Sequence, residues 1–437
     1  MLDEDAQTSS EESVPASIAS AGRKSGRRRP LSFTFLGTGA SSALPLISCV
    51  TAPEKACPAC YDTLGNPESR NIRANTGAVI QVPQEDGGES TILLDCGKTF
   101  REAALKWFPK KGLRRIDACI LTHLHADAVD GLDDLRAWTY KTAIEKTIPI
   151  YCTKTTYEAI AAGFPYMVSK KAASGGGALP SFDWHIMPED QEWNICGMTI
   201  TPFPFHHGHY FDHVPPRPLV CSAFLIDSSI LYASDVSYIP EEQWARLGTY
   251  ASLPSQSGLF RAANPKTRRN SRPLPRLQAA ILDVGGGLTS TPSSHMGLLH
   301  TIATARRLGA LRTYLTDFGH GQAHETWLEW CLRFGRGETS GRLSAPSARV
   351  VPAWRSWTEG EAPPPVRHAA QATSGHDQRE GPEFFIERAF ESVEDWAGGF
   401  LPGRWVRPAF DGLTLVCGRW DDGRSGFEWC DERIQEE

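Results

Sequence analysis

Four apolar stretches of this chain stop in the same way. "DACILTHLHAD" runs into His123, His125 and Asp127, and "TPFPFHHGH" into His206, His207 and His209. "SILYASD" ends at Asp235, and "LRTYLTDFGH" at Asp317 and His320. Short apolar runs bounded by turn signals read as buried strands. A polar group just past the end of such a strand lies at a sheet edge, where α/β proteins place their chemistry. One such ending is ordinarily a cap or a turn. Four of them ask for a fold in which separate strands deliver imidazoles and carboxylates to a single place. His123 and His125, on alternate residues, can direct both rings at one divalent ion. "STPSSHMG" sets His295 before a helical pattern, and "LLDCG" sets Asp95 at a further strand end.

The rest of the pattern agrees with layers. Further strands are expected at "LSFTFLG", "TGAVIQV", "STILLDCG", "IPIYCT", "SAFLID" and "LQAAILDV". Helical periodicity falls between them, in "TFREAALKWF", "GLDDLRAWTYKTA", "TYEAIAAGF", "PEEQWARL", "MGLLHTIATARRLG" and "AHETWLEWCLRF". Two α/β halves follow, with sheets inside and helices outside. Residues 1–30 offer almost nothing to bury and read as a disordered tail, 31–335 as the main domain, and 336–383 as a flexible insertion. Residues 384–437 read as a helix and a closing strand packed on that domain. The stretches 169–181, 255–276 and 353–383 read as loops or linkers, and no internal repeat is evident.

Composition narrows the function. The formal net charge of −6 argues against general affinity for nucleic acid. No apolar run approaches the roughly 18 residues of a membrane span, and the acidic "MLDEDAQTSSEES" start is no secretory signal. Eleven cysteines, an odd number, fit a reducing, cytoplasmic setting in which they serve as core residues or metal ligands. The "RKSGRRRP" cluster at 23–30 reads as a solvated tail, with nuclear import as the alternative. Cys49, Cys57 and Cys60 form a C-x7-C-x2-C arrangement suited to one tetrahedral ion. The remaining cysteines read as core, Arg70 and Arg73 as solvated, and Asp133, Asp134 and Arg136 as a helix start. Trp396, Trp405, Trp420 and Trp429 read as packing on the main domain.

The order "GTGASS", "LLDCG", "THLHADAVDGLDDLR", "PFHHG", "YASDVS", "SSH" and "TDFGH" resembles the metallo-β-lactamase fold superfamily, over about residues 31–330. Within it, the chain resembles the branch of bacterial cyclic-phosphate phosphodiesterases and their fungal and plant relatives. The resemblance implies a four-layer αββα sandwich with metal at one edge. His123, His125 and His207 would hold the first ion; strand alternation alone leaves His206 and His209 open as the third ligand. Asp235 would bridge two ions, Asp127 would serve the second, and His295 would protonate the leaving oxygen. Two-metal members carry His where Ala128 and Asp317 stand here. A second seat built from Asp127, Asp235 and Asp317 is oxygen-only and suits Mn2+ or Mg2+ as an optional ion, beside one catalytic Zn2+. The same branch closes a three-cysteine site with a histidine matching His320, implying a structural Zn2+. The implied activity is hydrolysis of a small cyclic or nucleotide-like phosphodiester by a hydroxide formed on the metal. Other hydrolysis on this fold (RNA ends, thioesters) and a metal-stabilised binding protein with a decayed second site are the alternatives. The expected partners are the small substrate and, optionally, a second copy of the chain.

Overall fold

The computed structural model describes residues 30–433, apart from 55–56, 173, 175–176, 178, 213–216, 255–273, 289–293, 339–381, 398–404 and 420–425. The expected tail, most of the 255–276 linker and the bulk of the 336–383 insertion lie outside the described residues. So do Trp420 and the side chain of Trp396.

Fifteen strands are described: β1 (Leu31–Gly37), β2 (Gly77–Pro83), β3 (Glu89–Leu94), β4 (Ala118–Ile120), β5 (Ile148–Cys152), β6 (Phe182–Ile186), β7 (Trp193–Ile195), β8 (Met198–Tyr210), β9 (Arg217–Ile226), β10 (Ile230–Ala233), β11 (Ala279–Asp283), β12 (Arg312–Thr316), β13 (Val406–Pro408), β14 (Thr414–Arg419) and β15 (Phe427–Arg433). One sheet runs β15-β14-β1-β2-β3-β4-β5-β6, the other β13-β12-β11-β10-β9-β8-β7. The first sheet is antiparallel up to the β2–β3 pair and parallel from β3 to β6. In the second, β10 to β13 run parallel, while β8 and β9 form a long antiparallel hairpin.

The strands read as almost continuous apolar runs because both of their faces are covered. Phe33, Phe35, Ile80, Ile92, Tyr232, Ile281 and Tyr314 fill the space between the sheets. On the outer face of the first sheet, Phe100, Ala104 and Phe108 of helix Phe100–Lys111 pack against Val79, Leu93 and Cys119. The second sheet is covered by helices Glu241–Tyr250, Leu298–Leu308, His324–Gly335 and Pro382–Ala397. The order is helix, sheet, sheet, helix: a four-layer αββα sandwich. No helix among the described residues is long and apolar enough to cross a membrane.

Several expectations change. "GLDDLRAWTYKTA" does not make one helix: a 3-10 segment, Asp130–Leu135, passes into a four-residue α-turn, Arg136–Thr139, and then kinks at Lys141. Gly131 sits so close to the carbonyl of Gly97 that a Cβ there would lie 2.2 Å from its oxygen, so the segment is shaped by packing rather than by helical periodicity. Cys417 and Cys430 are joined in a disulfide rather than serving as reduced core residues, because the β14–β15 register sets them directly opposite. Trp429, on the edge strand β15, packs its ring over Gly418 of β14 as expected while leaving its outer side exposed.

Arg73 is the largest correction. It is buried, not solvated. Its guanidinium donates to Thr38 Oγ1 at 2.7 Å and to the Ala409 carbonyl at 2.9 Å, meets His324 Nδ1 at 3.1 Å, and lies 4.1 Å over the Phe318 ring. Burial pulls its pKa down to about 10, against the opposing pull of Asp411 and Glu325. Asp411 accepts from Thr38 and from the Ala74 amide, both at 2.7 Å. This network ties β1, the 71–75 segment, the β12 exit and the β13–β14 corner together. Removing one partner of a buried charge network leaves the other uncompensated. Arg73→Ala is therefore expected to lower stability by about 3–5 kcal/mol in chemical denaturation, and Arg73→Lys to fail to restore it, because an ammonium cannot reproduce the planar fork.

Candidate metal centre

The C-terminal ends of β3, β4, β8, β10, β11 and β12 meet at one edge of the sandwich, and each carries its polar residue there. His123 and His125 follow β4; their ring centroids lie 4.8 Å apart, and His207 of β8 completes a triangle at 5.0 and 4.9 Å. One nitrogen from each of the three comes within 4.8 Å of the others. Of the three histidines left open in "HHGH", only His207 enters this group. Gly208 takes φ 71° immediately after it, and the β8–β9 register slips between His206 and His209. That bulge aims a side chain which regular alternation could not assign.

Two of the three rings, His123 and His207, are held from behind. Asp95 accepts from the Thr122 amide at 2.8 Å and from the Thr122 hydroxyl, and that hydroxyl lies 2.8 Å from His123 Nδ1. With the hydroxyl proton given to Asp95, His123 Nδ1–H donates to Thr122 and Nε2 presents its lone pair to the centre. His207 Nδ1–H donates to the Ser294 carbonyl at 2.6 Å, which likewise frees Nε2. That Nε2 stands 3.1 Å from His125 Nδ1, the spacing of two lone pairs sharing one ion rather than of a forced hydrogen bond. Burial, with the neighbouring rings, holds His123 and His125 well on the neutral side, as ligation requires. His123 Nε2 is buried without a partner, a costly state that a divalent ion relieves. The residues fit a transition-metal ion.

On the acidic side, ligand atoms of Asp235 group with those of His207 and His295, and those of Asp317 with Asp283 and His295, each set within 4.8 Å. Asp235 Oδ1 lies 4.0 Å from His207 Nε2. The Asp235 amide donates at 3.0 Å to Asp317 Oδ2, while Asp317 Oδ1 is buried without a partner. Asp95, Asp235 and Asp317 all sit at positive φ, 59°, 53° and 64°. Aspartate tolerates that region better than most residues, and each turns its strand end back toward the centre. Asp127 lies in the first turn of Ala126–Val129, buried and with Oδ1 unpartnered, but it joins none of the groups of ligand atoms within 4.8 Å among the described residues. Ala128 packs in the apolar layer beside it.

Asp283 was overlooked in the sequence, although "LQAAILDV" carries the same signal of an apolar strand ending in Asp. Its carboxylate accepts from Val236 N at 2.7 Å, from Gly285 N at 2.6 Å and from His295 Nδ1 at 2.8 Å. It anchors the His295 ring, and its ligand atom also lies within 4.8 Å of those of His295 and Asp317. His295 packs on Gly285, where a Cβ would lie 2.8 Å from the ring. Burial pulls the His295 pKa down, but the Asp283 carboxylate outweighs it and pushes it up to about 10.

A second constellation joins the β1–β2 connection to the loop after β12. Cys49, Cys57, Cys60 and His320 bring ligand atoms within 4.8 Å of one another. His320 Nδ1 is 3.2 Å from Cys49 Sγ and 3.5 Å from Cys57 Sγ. Leu46 N and Cys60 N donate to the sulfurs of Cys60 and Cys57. The Cys57 thiol, stabilised as thiolate chiefly by the Cys60 hydrogen bond, falls to about 4. Three sulfurs and one imidazole are a donor set for tetrahedral zinc.

The turn carrying His125 and Asp127 rests on Gly97, where a Cβ would lie 1.8 Å from the Asp127 carbonyl oxygen. Gly97→Ala is expected to displace that turn and lower metal content at the three-histidine centre. The Cys–His group would stay loaded, a difference that elemental analysis reads directly.

Comparison with known proteins follows this geometry. Residues 90–318 match the family described as the beta-lactamase superfamily domain. An octanoyltransferase of Porphyromonas gingivalis is 27% identical over 174 residues, covering 40% of this chain but 30% of that protein, so its whole-protein activity does not transfer. Among solved structures, a diphosphatase from the PhnP family is 23% identical, covering 68% of this chain and 89% of its own, with a TM-score of 0.47. Yeast PDE1 is 11% identical, covering 88% and 99%, at 0.46. Zn(2+)-bound PqqB from Methylobacterium extorquens is 14% identical, covering 88% and 99%, at 0.47. Scores of that size carry no argument about chemistry. The sequence match spans more than half of the 437 residues and contains His123, His125, His207, Asp235 and His295. The chain belongs to the beta-lactamase superfamily, in its metallo-β-lactamase fold.

Proposed function

We propose that this protein is a metal-dependent hydrolase of a small cyclic or nucleotide-like phosphodiester, with one zinc at the three-histidine centre and a structural zinc at Cys49, Cys57, Cys60 and His320. The observation that carries the reading is the meeting of three imidazoles, one with an unpartnered buried nitrogen, beside Asp235 and a carboxylate-anchored His295. An ion bound there supplies Lewis acidity toward a phosphoryl oxygen and a more acidic water. The remaining roles belong to the chain itself. Asp127, with a free buried oxygen, orients the attacking water and accepts its proton. Asp283 fixes the His295 ring through Nδ1 and keeps it protonated, so that it can give a proton to the departing alkoxide. Asp317 holds the backbone of Asp235 and with it the direction of that carboxylate.

Two tests follow. Purified protein is expected to hold two zincs per chain and to hydrolyse bis-p-nitrophenyl phosphate. His123→Ala should remove one zinc together with activity, and Cys60→Ala should remove the other. One zinc per chain with no turnover under any divalent ion would favour the binding-protein alternative instead. For the proton donor, His295→Ala is expected to cost roughly 10²–10⁴-fold in kcat on a diester with an alkyl leaving group. The cost should be far smaller with p-nitrophenolate, which departs without a proton. Equal losses on both would remove His295 from that role.

A further inference from the structure

The bulge that aims His207 gives up part of its own ladder. The β8–β9 register is continuous up to His206 with Val220 and resumes at His209 with Pro218, so two residues of β8, His207 and Gly208, stand against one of β9. Backbone polar groups that leave a ladder need partners elsewhere. Here one residue supplies them: Ser237, two positions past Asp235. The Gly208 amide donates to Ser237 Oγ at 2.9 Å, and that hydroxyl donates to the His206 carbonyl at 3.0 Å. The Ser237 amide donates to the same carbonyl at 2.7 Å. A single hydroxyl, using its proton and a lone pair, thus closes the backbone on both sides of His207.

The neighbours of Ser237 reach the rest of the centre. The Asp235 amide donates to Asp317, and the Val236 amide to Asp283, the anchor of His295. The Val236 carbonyl accepts from the Met296 amide at 2.7 Å, which holds the stretch containing Ser294. The Ser294 carbonyl is the acceptor for His207 Nδ1–H. His206 N donates to the Tyr238 carbonyl at 2.9 Å, bridging β8 to this same segment. The His207 ring is therefore fastened through Ser294 and its backbone through Ser237. Ligand constellations must be held to within about 0.5 Å, and outer partners of metal ligands are worth roughly 10–100-fold in affinity.

We propose that Ser237 is a positioning residue for the three-histidine centre, its hydroxyl spanning the bulge and fixing the His207 backbone to the strand end that carries Asp235. The proposal rests on the metal-centre reading and adds the group that sets its geometry. The test strips the full chain of metal and titrates it with Co2+. The visible bands missing from His123→Ala report the three-histidine centre, and a near-ultraviolet thiolate charge-transfer band reports the Cys–His group. Ser237→Ala is expected to weaken cobalt binding at the three-histidine centre roughly 10–100-fold and to alter its bands, while the charge-transfer band keeps its strength. Ser237→Thr, which retains the hydroxyl at this half-buried position, should restore both affinity and bands. Equal losses in the two variants overturn the proposal. So does loss of both signals together with a lower melting temperature, which would make Ser237 a support of the fold alone. Wild-type loading that Ser237→Ala leaves unchanged rejects the positioning role and keeps the metal centre. Wild-type protein that takes cobalt at the Cys–His group only rejects the metal-centre reading and this proposal with it.

Discussion

The arrangement depends on keeping three imidazole lone pairs dry and pointed at one spot. A buried nitrogen with no partner costs on the order of 1–3 kcal/mol, and His123 Nε2 is in that position while its ring is 1% exposed. The cost is sustained because two of the rings are fastened on their far sides, His123 through Thr122 to Asp95 and His207 to the Ser294 carbonyl. Those fastenings arise from β3, β4 and the segment before helix Leu298–Leu308, so both sheets must be assembled before the centre exists. Positive φ at Asp95, Asp235 and Asp317 belongs to the same economy of strain, imposed where the surrounding packing over-determines the backbone.

The loop after β12 links the two metal-binding groups. Asp317 supports Asp235 at the centre, and Phe318 lies beneath Arg73. His320 belongs to the cysteine group, and His324 returns to Arg73. The Phe318 amide donates to the Thr38 carbonyl and its carbonyl accepts from Ala40, which clamps the loop to the turn after β1. Few residues in this stretch can move without moving another. An ion held at His320 would therefore do more than staple the N-terminal loop: it would restrain the chain three residues from Asp317, whose side chain holds the Asp235 backbone.

The acidic side is set by packing and hydrogen bonds within the chain. Ala128 is packed among apolar neighbours, so the missing imidazole has been replaced by core rather than by an open seat. Asp283 accepts from three donors and anchors the His295 ring.

Apolar strands ending in His or Asp were legible in the residues, and they determine that this chain builds buried sheets with polar groups at one edge. Strand and helix periodicity predicted the four layers because inward and outward faces are encoded locally. What the residues left open depended on partners far away in the chain. His207 could not be separated from His206 and His209, since a bulge at Gly208 decides the aim. Arg73 read as solvated because Thr38, Ala409 and His324, which bury it, lie 35, 336 and 251 residues away. Asp283 escaped notice because an aspartate after a strand becomes an anchor only when a histidine twelve positions on folds back to it. Local sequence sets which groups reach the edge; only long-range packing decides which of them face one another.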